Sequence, residues 1–181
     1  MTQLWLWRHP RCTGAAGRCI GRTDLPLDPR RAKRLAHRVR QAARRAGLPR
    51  EVWTSPLQRC RDVGRWLRCW GWRHRVDERL LELHFGAWEG RRWTEIARAE
   101  VAAWEAAFVQ HAPGDGEPLA SLLARVQRFV AERSGPVLIV AHAGWMQALQ
   151  WLREQPPPEA RHWPRAPRHG ELVRVDFPEM R

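Results

Sequence analysis

Two histidines and two arginines of this chain stand where phosphoryl chemistry could be done. His9 follows Arg8 at the end of a short apolar run, residues 3–8, and His142 follows the strongest apolar run, Val137–Ala141. Arg59 lies one turn into the segment that starts at Thr54-Ser55. Ala143-Gly144 opens a helical stretch, and first-turn amides favour anions. Arginine forks match phosphate oxygens through paired hydrogen bonds. A neutral imidazole is a competent nucleophile at neutral pH and can attack phosphorus. No carboxylate cluster stands ready for Mg²⁺, so arginine charge would take the place of a metal, and neither metal nor cofactor is expected.

Such residues need a scaffold that brings distant strand ends together. Residues 3–8 predict a buried strand, and residues 10–27, rich in Gly and Pro, predict a long functional loop. Asp28-Pro29 reads as a cap and first helical position, with Ala32, Leu35, Val39, Ala42 and Ala46 at helical spacing and Gly47 as the stop. Glu51–Thr54 is a second strand. Ser55-Pro56 repeats the cap signal before a helix carrying Leu57, Cys60, Val63 and Leu67, and Arg75–Asp77 is a third strand. Residues 80–90 lack periodicity. Residues 92–110 carry a helical stripe of Trp93, Ile96, Val101, Trp104 and Phe108, a core face or a cover over the site. Residues 118–133 predict another helix, followed by strand 137–141, a helix to about Leu152, a break at Pro156-Pro157-Pro158 and a last strand over 171–177. Alternating strands and helices imply an α/β protein, a three-layer α/β/α sandwich on a mostly parallel central sheet, forming one domain over residues 1–181. Ligands in such sheets bind beyond the carboxyl ends of the strands, where both histidines fall.

Composition narrows the partners. The net charge of +13 suits phosphorylated substrates, nucleic acid or anionic lipid, yet Lys33 is the only lysine and the arginines read mainly as a solvated surface. No base-reading motif accompanies them. A basic nucleic-acid-binding protein is therefore the outside alternative and a small phosphorylated molecule the expected partner; a homodimer stays open. No apolar run approaches the roughly 20 residues of a membrane span, and the apolar start is too short for a signal peptide, so a cytoplasmic protein is expected. Cys12, Cys19, Cys60 and Cys69 form no metal-ligand spacing and are expected as reduced thiols.

Four ordered blocks carry a family resemblance. Leu6-Trp7-Arg8-His9-Pro10 is similar to the Arg-His-Gly signature of the histidine phosphatase superfamily, the phosphoglycerate mutase-like proteins. Ser55-Pro56-Leu57-Gln58-Arg59-Cys60 resembles its Ser-Pro-Leu-x-Arg-Ala block, Leu80 to Gly90 its Leu-x-Glu-x-x-x-Gly-x-Trp-Glu-Gly block, and Val140-Ala141-His142-Ala143-Gly144 its Val-x-His-Gly-Gly block. The resemblance implies that His9 becomes phosphohistidine and that Arg8, Arg59 and His142 hold the phosphoryl oxygens, with Ala143 at the same anion-binding turn. It implies that Glu82 is the proton donor to the leaving oxygen, which requires a raised pKa. The short chain lacks the extra segment of the family's larger glycolytic mutases, which favours a phosphomonoester hydrolase over a mutase. The loop Gly17 to Leu27 resembles that of the α-ribazole phosphatases of cobalamin nucleotide-loop assembly, with a broad sugar-phosphate or nucleotide phosphatase as the alternative.

The chain departs from the family pattern in its first block. Pro10 replaces the glycine, Cys12 the threonine, and no Asn stands at position 15 or 16. Arg18 or Arg22, from the same loop, is the expected substitute phosphate contact. Cys12 reads as a passive small residue, and Glu89 as a structural partner within the Trp-Glu-Gly turn. Trp88 and Trp145 adjoin motif residues and could stack on a flat leaving group, although core packing is the favoured reading. His37, His74, His84, His111, His162 and His169 carry no motif that lifts them above packing or surface roles.

Overall fold

The computed structural model describes residues 2–157 and 159–177. Five strands, β1 (Thr2–Arg8), β2 (Glu51–Thr54), β3 (Arg73–Val76), β4 (Val137–Ala141) and β5 (Leu172–Phe177), form a sheet in the order β3-β2-β4-β1-β5. β5 alone runs antiparallel, at the edge beside β1. The helices are α1 (Pro29–Arg45), α2 (Gln58–Cys69), α3 (Arg98–Ala106), α4 (Leu119–Ala131) and α5 (Ala143–Glu154). Pro158 of the expected proline break lies outside the described residues. Among the described residues no helix is long and apolar enough to cross a membrane.

The sheet divides the core by the two-residue period of its strands. Leu4, Leu6, Ile139 and Ala141 face the layer that holds α4 and α5, whereas Trp5, Trp7, Leu138 and Val140 face α1 and α2. Both faces are covered, which is why β1 and β4 read as continuous apolar runs rather than alternating ones. Each fully buried aliphatic side chain contributes about 1.5–3 kcal/mol.

The helix ends show which local signals decided. At α1 the Asp28 side chain accepts from the Arg30 amide, Pro29 opens the helix, and Gly47 ends it at φ +64°. At α2 the expected cap differs. Ser55 Oγ accepts from the Leu57 amide, and α2 starts only at Gln58, whose N–H donates to Asp24 Oδ1 at 2.8 Å. A residue of the 10–27 loop thus caps the helix in place of Ser55.

The stripe over 92–110 is not one helix. A single 3₁₀ turn spans Trp93–Glu95, α3 is short and has no buried residue, and Phe108 is buried just past its end. Trp93 and Trp104 pack on Phe85 and Trp88, and Phe108 packs on Trp104, Trp151 and Trp163. The segment is a cover beyond the strand ends, which removes the need for one continuous helical face. The third strand begins two residues earlier than expected, at Arg73, because its pairing is set by β2, with Glu51 opposite Arg73.

Candidate active site

Parallel register brings the two site histidines together. Arg8 pairs with Ala141, so His9 and His142 each lie one residue beyond a paired position. The His9 amide donates to the Ala141 carbonyl at 3.0 Å, and the two imidazole centroids are 5.2 Å apart. A cavity of about 280 Å³ opens there, with Arg8, His9, Arg59, Glu82, Ala143 and Gly144 among its lining residues.

The tautomer of His9 follows from its partner. Its Nδ1 lies 2.7 Å from the Pro10 carbonyl. A carbonyl only accepts, so Nδ1 carries the hydrogen and the neutral ring keeps its lone pair on Nε2. Burial, reinforced by the Arg59 charge, holds the His9 pKa well below the usual histidine value, so the ring is neutral at pH 7.

Arg59 is almost fully buried. Its Nε donates to His142 Nδ1 at 3.2 Å, and its two terminal nitrogens donate to the carbonyls of Thr23 (2.8 Å) and Gly21 (2.5 Å). These contacts use three of the five guanidinium hydrogens and leave two for the cavity. Arg8 donates to the Pro167 carbonyl at 2.7 Å, and its buried Nε has no partner.

His142 occupies a different place from the one expected. It is fully buried, is not among the residues that line the cavity, and has both ring nitrogens engaged. Because Nδ1 accepts from Arg59, the hydrogen sits on Nε2, 2.9 Å from Ser55 Oγ. His142 therefore stands behind the cavity wall, holding Arg59 in place. Burial and the same Arg59 charge keep it neutral.

Glu82 lies at the cavity with Oε2 accepting from the Gly144 amide at 2.9 Å and Oε1 from the Leu83 amide at 3.0 Å. Burial raises its pKa above the usual carboxylate value, against the downward pull of those two amides and of Arg59 and Arg125. The expectation of a carboxyl with a raised pKa is met in direction. Gly144 makes the arrangement possible, since a Cβ there would lie 2.3 Å from Glu82 Oε1.

The two candidate substitutes for the missing Thr and Asn part company. Arg18 lines the cavity and donates to the Gly90 carbonyl at 2.6 Å. Arg22 does not line it. Its guanidinium pairs with Glu117 at 3.1 Å and donates to the Glu82 carbonyl at 3.3 Å, so it supports the backbone under Glu82 instead of facing a phosphate. Glu117, already shared with Arg125 at 2.7 Å, is the acidic partner that draws it away.

Glu89 is structural, as expected, and more extensively than its motif suggested. It accepts from the amides of Gly21, Arg22, Thr23 and Phe85 and from the Thr23 hydroxyl. Burial alone would raise its pKa, but these bonds bring it below the usual value. Residues 21–23 are thus held from both sides, their carbonyls by Arg59 and their amides by Glu89. Gly21 is needed there, because a Cβ would meet the Leu83 carbonyl at 2.1 Å.

The cavity also has an apolar, aromatic wall of Phe85, Trp93, Trp104, Phe108 and Trp163. Phe85–Trp104, Trp104–Phe108 and Phe108–Trp163 ring pairs are 6.0, 5.3 and 5.5 Å apart, so the wall is one connected cluster. Trp88 and Trp145 are buried outside it, their indole N–H groups donating to Glu100 and to the Arg79 carbonyl, which settles them as packing residues. Cys12 lines the cavity, but burial pushes its thiol pKa up, away from the reactive thiolate. All four cysteines are free thiols. Among the described residues no group of three or more His, Cys, Asp or Glu could hold a metal ion.

The family model of the histidine phosphatase superfamily (branch 1) matches residues 4–181. The chain belongs to the histidine phosphatase superfamily. Its fold is shared with solved structures. TTHB049 from Thermus thermophilus is 32% identical, with 98% of this chain and 95% of that chain covered and a TM-score of 0.73. A phosphoglycerate mutase from Thermus thermophilus is 31% identical, with 98% and 94% covered and a TM-score of 0.73. Bacillus stearothermophilus YhfR shares the fold at 23% identity, with 98% and 92% covered and a TM-score of 0.79. No curated protein matches significantly. Membership makes this an enzyme of phosphatase or mutase type, acting on phosphate groups.

Within this member of the superfamily, the motifs located His9, Arg8, Arg59, Glu82 and the α5 turn at a single cavity. They did not locate His169, Gln147 or the aromatic wall, which also line it. His169 and Gln147 belong to no motif, and the wall aromatics come from three separate stretches. The one available signal was the weak stripe over 92–110, whose alternative reading as a cover is the observed one.

Proposed function

We propose that this enzyme hydrolyses phosphomonoesters through a phosphohistidine at His9, and that the alcohol its substrate releases carries a flat aromatic group, as that of α-ribazole 5′-phosphate does. His9 Nε2 attacks phosphorus and the ester P–O bond breaks. Arg8, the free Arg59 hydrogens and the amide end of α5 hold the phosphoryl oxygens as charge builds on them. Arg18, at the cavity edge, is the remaining candidate for the phosphate contact that the family signature would supply. Glu82 gives its proton to the leaving oxygen and then takes one from the water that attacks phosphorus as the P–N bond to His9 breaks, releasing phosphate and restoring His9.

One observation carries the reading: the Pro10 carbonyl leaves the lone pair of a neutral, buried His9 on Nε2, in the same cavity as two arginines and a carboxyl whose pKa burial has raised. The aromatic wall supports the substrate class, since flat rings stack on such surfaces. The apolar lining also favours hydrolysis over mutase chemistry, which must retain a second anionic group.

The test is phosphate release from an aryl phosphate together with acid-labile labelling of the protein. Wild type should turn over and label, and His9→Ala should do neither. Turnover that survives His9→Ala, or no turnover alongside tight salt-sensitive RNA binding, refutes the reading. A panel of α-ribazole 5′-phosphate, nucleotides and sugar phosphates then assigns the substrate. Trp104→Ala should raise KM for the aromatic esters and leave it unchanged for a small alkyl phosphate.

A further inference from the structure

We propose that His169 is a positioning residue for His9: by donating Nδ1–H to the His9 carbonyl, it fixes the peptide from which the nucleophilic ring is hung. The inference rests on the phosphohistidine reading above. His169 Nδ1 lies 3.1 Å from the His9 carbonyl oxygen, and the ring centroids are 5.2 Å apart. The acceptor is a carbonyl, so Nδ1 must be the protonated nitrogen.

The bond has leverage because of Pro10. The His9 carbonyl belongs to the His9–Pro10 peptide, and the next carbonyl, that of Pro10, holds the His9 ring through Nδ1. The proline ring locks φ near −65°. With the first peptide held by His169 and this torsion closed, a single backbone torsion remains between His169 and the atom that orients the nucleophile. A glycine at position 10 would leave both torsions free. Pro10, which departs from the family pattern, and His169 therefore act as one device.

The segment that carries His169 is itself anchored to the nucleophile's strand. The Gly170 amide donates to the Arg8 carbonyl at 2.9 Å, the Arg8 amide donates to the Glu171 carbonyl at 3.2 Å, and the Arg8 side chain reaches the Pro167 carbonyl. His169 thus approaches His9 from a fixed base. Partial burial, with Arg8, Arg11 and Arg31 nearby, keeps its ring neutral, so it adds no further cation to the site.

The experiment compares His169→Ala, His169→Asn and His169→Gln in the full chain by rapid-quench phosphorylation and steady-state kinetics on an aryl phosphate. Asn places an N–H where His169 Nδ1–H stands; Gln places it one carbon farther out. Loss of one orienting hydrogen bond should slow phosphorylation and kcat roughly five- to tenfold in Ala and Gln, with KM and Tm little changed. Asn should restore the rate to within about twofold. If Ala fails to fold, the contrast between Asn and Gln decides. Equal rates in Asn and Gln, wild-type rates in Ala, or a change confined to KM overturns the proposal. A wild type that turns over without labelling refutes the phosphohistidine reading instead, while the kcat contrast still judges His169.

Discussion

Gly144→Ala tests whether the placement of Glu82 controls proton transfer. Ordinary contact with a Cβ begins at 3.4 Å, whereas this one would stand 2.3 Å from Glu82 Oε1. The carboxyl must then retreat by about 1 Å, a displacement that can lower a rate about 10²-fold when reacting groups lose their alignment. Its retreat breaks the 2.9 Å bond from the Gly144 amide. A hydrogen bond to a carboxylate is worth about 1.5–3 kcal/mol, and Ala returns about 1 kcal/mol of helix propensity in α5, so the net loss of stability is about 1 kcal/mol. Rate and stability should therefore separate: a small shift in Tm beside a large fall in kcat. The fall should also depend on the leaving group. An alkyl ester needs the proton from Glu82, whereas a nitrophenyl ester departs as a stable phenolate without it. The assay is kcat on both esters, with Tm measured in parallel. Equal losses on the two, or alkyl-ester activity within twofold of wild type, would falsify the assignment of Glu82 as the acid placed by Gly144.

Burial raises the Glu82 pKa, so its stability contribution is full below about pH 4.5 and is lost as pH rises through the folded value. Glu82→Gln should accordingly narrow the change in urea-unfolding free energy between pH 4.5 and 8, and should remove the fall in alkyl-ester kcat at rising pH while lowering that kcat by about 10²–10⁴-fold. The opposite sign holds for His74, whose pKa burial and then Arg68, Arg65 and Arg61 lower to about 4. The unfolded chain binds this proton first, so stability should drop between pH 6.5 and about 4, and His74→Asn should flatten that drop in pH-dependent urea unfolding. Glu89→Ala leaves four amides and a hydroxyl without their acceptor, and should destabilise the protein by about 3 kcal/mol and open the 10–27 loop to limited proteolysis. Proteolysis and a denaturant midpoint unchanged from wild type would show that Glu89 does not hold the loop.

Much of the polar lining of the cavity was legible because parallel sheets place their ligands by rule. Two apolar runs each ending in histidine needed only to be neighbours, and β1 beside β4 makes them so. The role of His142 was less legible. Its motif put it at the site, but the choice between facing a phosphate and backing Arg59 depends on where Ser55 Oγ and the Arg59 Nε lie. Arg22 failed as a phosphate contact for the same kind of reason. Loop position and charge allowed it, and Glu117, 95 residues away, decided otherwise. The expected Ser55 cap lost to Asp24, a competitor 34 residues distant in the chain that no local pattern reports.

By itself the sequence determined the alternation of strands and helices, the strand ends that carry His9 and His142, and the helix start at Ala143-Gly144. These depend on periodicity and on backbone sterics, which act over a few residues. Only the tertiary structure decided the tautomers of the histidines, the partners of Arg22 and Arg59, the aromatic wall and the approach of His169 to His9. Long polar side chains and rings take whatever donor or acceptor the folded chain brings within about 3 Å, and that geometry exists only once the sheet has assembled.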